Sequence, residues 1–398
     1  MRTHGRLALI TLASAMAMST ATEMANAGAF QLNERSTKAI GASLSGSVSA
    51  ASDVTFANFN PAALKTVTNF EVGGSFAVIM PKSDGVTSSA IPGFNGVAYD
   101  ADRIGYVPSL ALGYRLTDDV VIGFSTYSPF GLRTVYKTLP VIADAHTSEL
   151  RTVVFAPSIS YDVLDNLTIG GSIDILYADA RLTNAAVLLD GSDYDVGFSA
   201  GLLFESVDGT QIGAAFHSGY SLGIDTDVAS PRLPPGLTGV ASTSLPMWVQ
   251  LGVTQDVTED LRVMVEGRWF DWSAFDSIVV TTPIGTLPAD VQNYQNSFFV
   301  AGGAEYDITD QFTIRGGIAW DQTPTQDGFR TPRVPDEDRL WLSVGGSYAL
   351  NDDISIDLSY SYLHSLNDPV VTLRNVPATT VTYDGGAHIF TVGGTFKF

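Results

Sequence analysis

The 398-residue chain contains no cysteine. That removes disulfides, thiolate metal sites and cysteine nucleophiles together. Basic residues are scarce as well: 21 Lys and Arg stand against 42 Asp and Glu, for a net charge of −21. A nucleic-acid binder needs a basic footprint, so that class falls away; the acidic excess reads as solvation of long loops. Histidine is thin. His4 sits at the very start, and His146, His217, His364 and His388 lie far apart with no metal-ligand spacing. No Gly-x-Ser-x-Gly elbow occurs. The two His-Ser neighbours, His217-Ser218 and His364-Ser365, would point to opposite faces of a strand and could not act together. The expectation is a chain that is no enzyme and takes no metal or cofactor. Beyond the N-terminus, no stretch reaches the roughly 18 consecutive apolar residues of a membrane helix.

Apolar surface is nonetheless abundant, at 45% of residues. It must go to a large soluble core or to lipid. Only helices and closed barrels satisfy every backbone polar group inside a bilayer, so a membrane reading here means a barrel. The first residues favour export. Arg2 and Arg6 precede an uncharged apolar run from Leu7 to Ala21, and Ala25-Asn26-Ala27 is a small-x-small cleavage site. That order is a secretory signal peptide over 1–27, leaving a mature start at Gly28.

Alternation sets the class. In Ile354-Ser355-Ile356-Asp357-Leu358-Ser359-Tyr360-Ser361-Tyr362 every even position is apolar and every odd one polar. Successive strand side chains point to opposite faces, so such a strand has one greasy and one wet face. Leu167–Tyr177, Met247–Leu251 and Phe312–Gly316 repeat the pattern. Short acidic turns follow at Asp118, Asp165, Asp208, Glu259, Asp310 and Asp352, spaced 42–51 residues apart. Each interval holds two strands and one long loop, the hairpin array of an outer-membrane barrel.

The expected fold is all-β: a transmembrane, antiparallel β-barrel over 70–398 with fourteen strands. Their expected spans are 70–80, 107–116, 120–130, 150–163, 167–178, 193–206, 210–220, 247–256, 261–272, 297–307, 312–320, 339–349, 354–363 and 387–398. Long loops fill 81–106, 131–149, 221–246, 273–296, 321–338 and 364–386. Residues 28–69 do not alternate and are rich in small residues. Phe30, Leu32, Phe56, Phe59 and Leu64 favour an N-terminal hatch that plugs the lumen over a solvated tail. A barrel this wide must be filled or conduct water. Gly pairs inside strands, such as Gly170-Gly171 and Gly302-Gly303, mark bends or close backbone approach. Charges on the wet face (Asp174, Arg262, Glu266, Arg268, Arg315, Asp357) are expected to pair and brace the wall or the plug. The chain stops at Phe398 on its last strand, which resembles the assembly signal read by the barrel assembly machinery.

The opening Gly28-Ala29-Phe30-Gln31-Leu32-Asn33-Glu34 and the stretch Asn60-Pro61-Ala62-Ala63-Leu64 resemble those of the FadL/TodX-type transporters of hydrophobic compounds. So do Leu245-Pro246 through Gly252, Trp269 with Trp272-Ser273, Gly303-Ala304-Glu305-Tyr306, Ile314-Arg315-Gly316-Gly317 and Pro335-Asp336-Glu337-Asp338-Arg339-Leu340-Trp341. The order runs along nearly the whole mature chain.

The resemblance implies passive uptake of hydrophobic compounds, foremost long-chain fatty acids, past the hatch and out sideways through a kinked third strand. Phe30 would touch the cargo, and Asn60, Pro61 and Ala62 would lie against the kink. Gly123, Pro129 and Gly131 are its candidate kink residues. The resemblance also implies a lysine before the tenth strand for the cargo carboxylate; Gln295 stands there instead. Arg315 or Arg339 could replace it, with Arg262 and Glu266 as further lumen contacts. The loss also suits a neutral aromatic or alkane cargo. A general porin and a loop-mediated adhesin are the rival functions. The expected partners are the hydrophobic ligand and outer-membrane lipid with lipopolysaccharide, and the expected state is a monomer.

Overall fold

The computed structural model describes residues 28–101, 103–184 and 188–398. The expected signal peptide, 1–27, lies outside the described residues. Those described form a closed antiparallel barrel of fourteen strands. Its strands are β1 (Phe70–Ser89), β2 (Gly105–Arg115), β3 (Val120–Tyr127 and Gly131–Val135), β4 (Thr147–Leu164) and β5 (Leu167–Thr183). Then come β6 (Leu188–Glu205), β7 (Thr210–His217 and Tyr220–Ala229), β8 (Leu237–Leu245 and Trp248–Asp256) and β9 (Leu261–Phe270, resumed at Ser277–Thr282). The last five are β10 (Ser297–Thr309), β11 (Phe312–Asp321), β12 (Arg339–Asn351), β13 (Ile354–Ser365) and β14 (Thr379–Lys397). Closure is made by β1 on β14, in one unbroken register from Glu71 opposite Lys397 to Ser89 opposite Thr379.

The alternation falls as expected. Ile169, Ile173 and Ile175 of β5 are exposed on the outer wall, while Thr168 and Asp174 are buried inward. On β8, Val249, Leu251 and Val253 face out and Gln250 and Thr254 face in. A barrel in lipid needs this inversion, with the apolar face outside. The strands run further toward the long loops than expected. β1 reaches Ser89, and the second piece of β7, the first piece of β8 and the start of β14 occupy spans read as loop. Some of those extensions turn the pattern over: Leu222, Ile224 and Val228 of β7 and Val381 and Tyr383 of β14 are buried inward, while Ser221, Asp225, Asp227, Thr382 and Asp384 face out.

Residues 28–69 lie inside the barrel and are almost wholly buried. They form one short helix, α1 (Thr37–Gly41), and two 3-10 turns, Val54–Asn58 and Pro61–Thr66. Asp53 and Asn60 start those turns: Asp53 accepts from Thr55 N at 2.8 Å and Asn60 from Ala62 N at 3.0 Å. Each satisfies an otherwise orphaned amide. Lys38 pairs with Asp53 at 2.7 Å and ties the helix to the first turn.

This body meets the wall at backbone depth. A Cβ on Gly213 would lie 1.8 Å from Val48 O, one on Gly201 1.9 Å from Asn60 Oδ1, and one on Gly317 2.2 Å from Ala42 O. The strand glycines are thus mainly seats for the inner segment rather than bends, which is the close-approach alternative of the sequence reading. Four of the expected bracing charges, Arg262, Glu266, Arg268 and Arg315, form ion pairs, whereas Asp174 and Asp357 accept from serine hydroxyls instead. Glu266 meets Arg268 at 2.8 Å and accepts from Ser47 Oγ, and Arg315 meets Glu305 at 2.8 Å.

Candidate functional site

The wall is broken at β3. Its lower piece pairs with β2 only from Arg115 opposite Val121 up to Leu110 opposite Thr126. Above that, Gly105–Ser109 of β2 pair with β1. The upper piece, Gly131–Val135, pairs with β4. Among the described residues, the β2–β3 ladder is therefore absent beyond Thr126. Pro129, which has no amide hydrogen, sits in the break, and Gly131 begins the upper piece. Gly123 does not mark the break. It lies in regular ladder opposite Gly113 and Ser158, with Leu64 packed over its Cα.

The freed backbone of the break is satisfied by the inner segment's first residues. Gln31 bridges Phe130, Leu32 N donates to Pro129 O at 2.8 Å, and Gly131 N donates to Phe30 O at 2.7 Å. Asn60 does not fill that role. Its amide donates to Val48 O and to Leu202 O of β6, and Pro61 and Ala62 rest on Gly170 of β5. The Asn-Pro-Ala stretch thus seats the body on β5 and β6, because the glycines there leave room for it.

Phe30 points into a box of rings. Its centroid lies 4.8 Å from Trp272, 5.1 Å from Phe275, 6.2 Å from Phe130 and 6.5 Å from Tyr294. Most are edge-on, the favoured arrangement. Trp272 and Phe275 enter because β9 stops at Phe270 and makes a 3-10 turn, Trp272–Ala274, before resuming. Alternation along β9 carries Trp272 to the inward face with Arg262, Glu266 and Arg268, whereas Phe275 lies past the turn, where period-2 logic ends.

The start of the inner segment is fixed by two acids. Gly28 N lies 3.1 Å from Asp321 Oδ2 and Ala29 N 2.8 Å from Asp336 Oδ2. Arg339 bridges the same pair, at 3.3 and 3.2 Å. Further along, Arg268 Nη1 donates to Asn33 Oδ1 at 2.8 Å. Arg35 stacks over Tyr127 at 4.4 Å and Trp248 at 5.2 Å. Between them Glu34 is fully enclosed. Burial raises its carboxyl to about 7, against the pull of neighbouring backbone amides, Arg35 and Arg339.

Two cavities lie side by side here, and Phe30 walls the inner one. The inner one, of about 80 Å³, is walled by Phe30, Leu132, Leu150, Leu222, Ile224 and Leu245 among others. The outer one, of about 380 Å³, shares Leu182, Leu189, Ile278 and Arg333 with it and continues to the loops. Of the expected polar contacts, none lines either cavity. Gln295 is exposed in the loop before β10, with its N–H on Pro324 O, since no strand yet orients it. Arg262 is paired to Asp256 and Glu305 near the short-turn rim. Arg315 and Glu266 brace the body, and Arg339 holds the two acids. Sequence reasoning missed Arg333, Trp272, Phe275 and Tyr294. His217, half of a considered His-Ser pair, bonds instead to Ser199 and Phe59 O, deep under the body.

The family model described as "Outer membrane protein transport protein (OMPP1/FadL/TodX)" matches residues 18–398. Outer membrane protein P1 of Haemophilus influenzae is 26% identical, over 88% of each chain. A long-chain fatty acid transport protein of Escherichia coli is 25% identical, over 97% of this chain and 98% of the relative. The solved structure of a Pseudomonas aeruginosa FadL homologue superposes with a TM-score of 0.83 at 20% identity, covering 93% of this chain and 100% of that one.

Proposed function

The chain belongs to the outer membrane protein transport family (OMPP1/FadL/TodX), and on that premise we propose that it takes up long-chain fatty acids through a gated lateral opening in its wall. The family makes the coarse function plain: an outer-membrane barrel of the transporter type that carries hydrophobic compounds. The finer reading is supported foremost by one observation. The strand that leaves the wall open is paired, at its break, by the same three residues that put Phe30 into the aromatic box beside the cavities.

In this reading residues 28–69 are the hatch and residues 28–35 its moving arm. Cargo leaves water for the outer cavity, at about 0.8 kcal/mol per buried methylene. It advances into the inner cavity and displaces Phe30 from its rings. Phe30, Gln31 and Leu32 then release β3, and the gap between Gly105–Ser109 and Ser128–Val135 opens toward lipid. No energy source is required, because the cargo moves between apolar surroundings. Removal of 1–27 would leave an α-ammonium on Gly28, facing the Asp321 carboxylate and strengthening the closed state. Neutral hydrocarbons form the second reading. Gln295 at the expected lysine position favours it, as does the apolar lining of the inner cavity.

Gln31→Cys with Phe130→Cys tests the gate, and the cysteine-free background keeps the experiment clean. These two residues face each other between flanking hydrogen bonds, where side chains come closest. Uptake of labelled oleate, in a strain lacking its own transporter, should fail when the pair is oxidised and return on reduction. Equal uptake in both states would rule out the arm as the gate.

A further inference from the structure

Arg333, in the loop between β11 and β12, is the charged residue shared by the two cavities that also lacks an ionic partner. Its Nη1 donates to Thr147 O at 3.2 Å, Ser148 Oγ at 2.8 Å and Thr183 O at 3.2 Å, and its Nη2 donates to Asp144 O at 3.1 Å. Every acceptor is neutral. Among the described residues, no carboxylate lies within ion-pair distance of it. The other arginines near the passage are spoken for: Arg339 by Asp321 and Asp336, Arg330 by Asp327 and Glu337, Arg151 by Glu149, Arg374 by Asp290. The acids nearest Arg333 are occupied too. Asp290 holds Arg374 at 2.7 Å, and Asp144 accepts the backbone amides of Arg374 and Asn375.

Burial lowers the pKa of this guanidinium, but an arginine stays charged at any physiological pH. The side chain is half-buried, and a cation partly withdrawn from water without a counter-ion is less favourable than a paired one. A plain structural role exists, since the three Nη1 bonds staple the loop to the outer ends of β4 and β5. That staple occupies the Nη1 side. The opposite Nε–Nη2 edge carries only the Asp144 carbonyl, and Nε has no acceptor among the described residues. This edge is one of the two on which a guanidinium takes a carboxylate bidentately.

We infer that Arg333 is the head-group receptor of the passage, binding the carboxylate of an amphiphile whose tail lies among Leu132, Leu150, Leu182, Leu189, Leu222 and Phe30. The inference rests on the proposed uptake route and narrows its cargo to anionic amphiphiles. It also accounts for Gln295, because the cation is supplied from a different loop. With the inner cavity at only about 80 Å³, the first methylenes fit beside Arg333 and the rest need the space Phe30 fills. Head-group capture would thus come before displacement of the arm.

The test uses purified full-length barrel in detergent, with two probes of the same tail: oleate and oleyl alcohol. Wild type should prefer oleate. R333Q should weaken oleate binding by about tenfold or more, the loss of a charged hydrogen-bonded pair, and leave oleyl alcohol within about twofold. R333K should recover part of the oleate affinity, since it restores the charge without the fork. Wild type that binds both probes equally, or R333Q that weakens both alike or neither, overturns the inference while the uptake route stands. Wild type that binds neither probe overturns both. The wild-type comparison needs no variant, so the outcome does not hang on R333Q folding; heat-modifiable migration on gels reports that separately.

Discussion

The inner segment has two parts, both buried and held in different ways. Its body, from Ser36 to Val67, is locked by shape: Val48, Asn60 and Ala42 press into wall positions where only hydrogen fits. Its arm, from Gly28 to Arg35, is held by directional contacts to a loop, a broken strand and an aromatic box. Shape at backbone depth cannot be exchanged for anything else. Hydrogen bonds and ring contacts can be matched by an incoming ligand. The comparison teaches that burial can rest on different kinds of contact, and on the proposed uptake route the part that moves is the one whose partners a cargo can replace.

The body side should break hardest. Gly213→Ala drives a methyl into Val48 O, and a backbone atom at 1.8 Å cannot step aside. Overpacking of this kind costs about 1–3 kcal/mol or more, so loss of the heat-modifiable folded band is expected. A normal band would mean that the body is looser than its contacts say.

On the arm side, Asp336→Asn should leave the barrel folded and free Ala29. The closed state then loses a charge-assisted bond of roughly 1.5–3 kcal/mol. Oleate affinity, measured by calorimetry, should rise by up to about tenfold, because less of the binding energy goes into expelling Phe30. Unchanged or weaker affinity would show that Asp336 is not part of the latch.

Glu34 gives a smaller, pH-dependent handle. Its docked carboxyl is raised to about 7 by burial, opposed by nearby amides, Arg35 and Arg339, from an ordinary value of 4.5. A raised carboxyl means that the docked arm takes up a proton. Docking is therefore favoured at and below 4.5 and weakens as pH climbs to 7, with little change above. Hydrogen exchange of Phe30–Leu32 should speed up across that window by a few-fold beyond its intrinsic pH dependence. Glu34→Gln should flatten the excess; a persistent slope would put the titrating group elsewhere.

The smallest effect separates two adjacent glycines. A Cβ on Gly303 would meet Ser45 Oγ at 2.4 Å, whereas one on Gly302 meets nothing within 4 Å. Gly302→Ala should be neutral within about 0.5 kcal/mol, and Gly303→Ala clearly destabilising, in the same urea titration. Equal behaviour would remove the seat argument.

Much of the wall was readable because its rule is local. Ile356 and Leu358 go out and Asp357 goes in whatever the rest of the chain does. The bracing pairs were foreseeable as a class, since a charge facing a filled lumen must find a partner. The site was readable only in outline. Phe30 stood out by resemblance, and Pro129 and Gly131 by backbone chemistry. Gly123, Asn60 and Gln295 carried the same kind of signal, yet the fold uses the first two to seat the body and leaves the third in a loop. Nothing local distinguishes a glycine that bends a strand from one that makes room.

The sequence by itself determined that this chain is a lipid-facing barrel with an N-terminal filling, because alternation, turn spacing and small-residue content act over a few residues at a time. Only the tertiary structure decided which residues meet at the candidate site. Gly28 meets Asp321 and Phe30 meets Trp272 across most of the chain's length, and Arg333 reaches the cavities from a loop with no periodicity of its own. Such contacts depend on where the barrel closes and where its strands break. They follow from the summed register of fourteen strands rather than from any one stretch of residues.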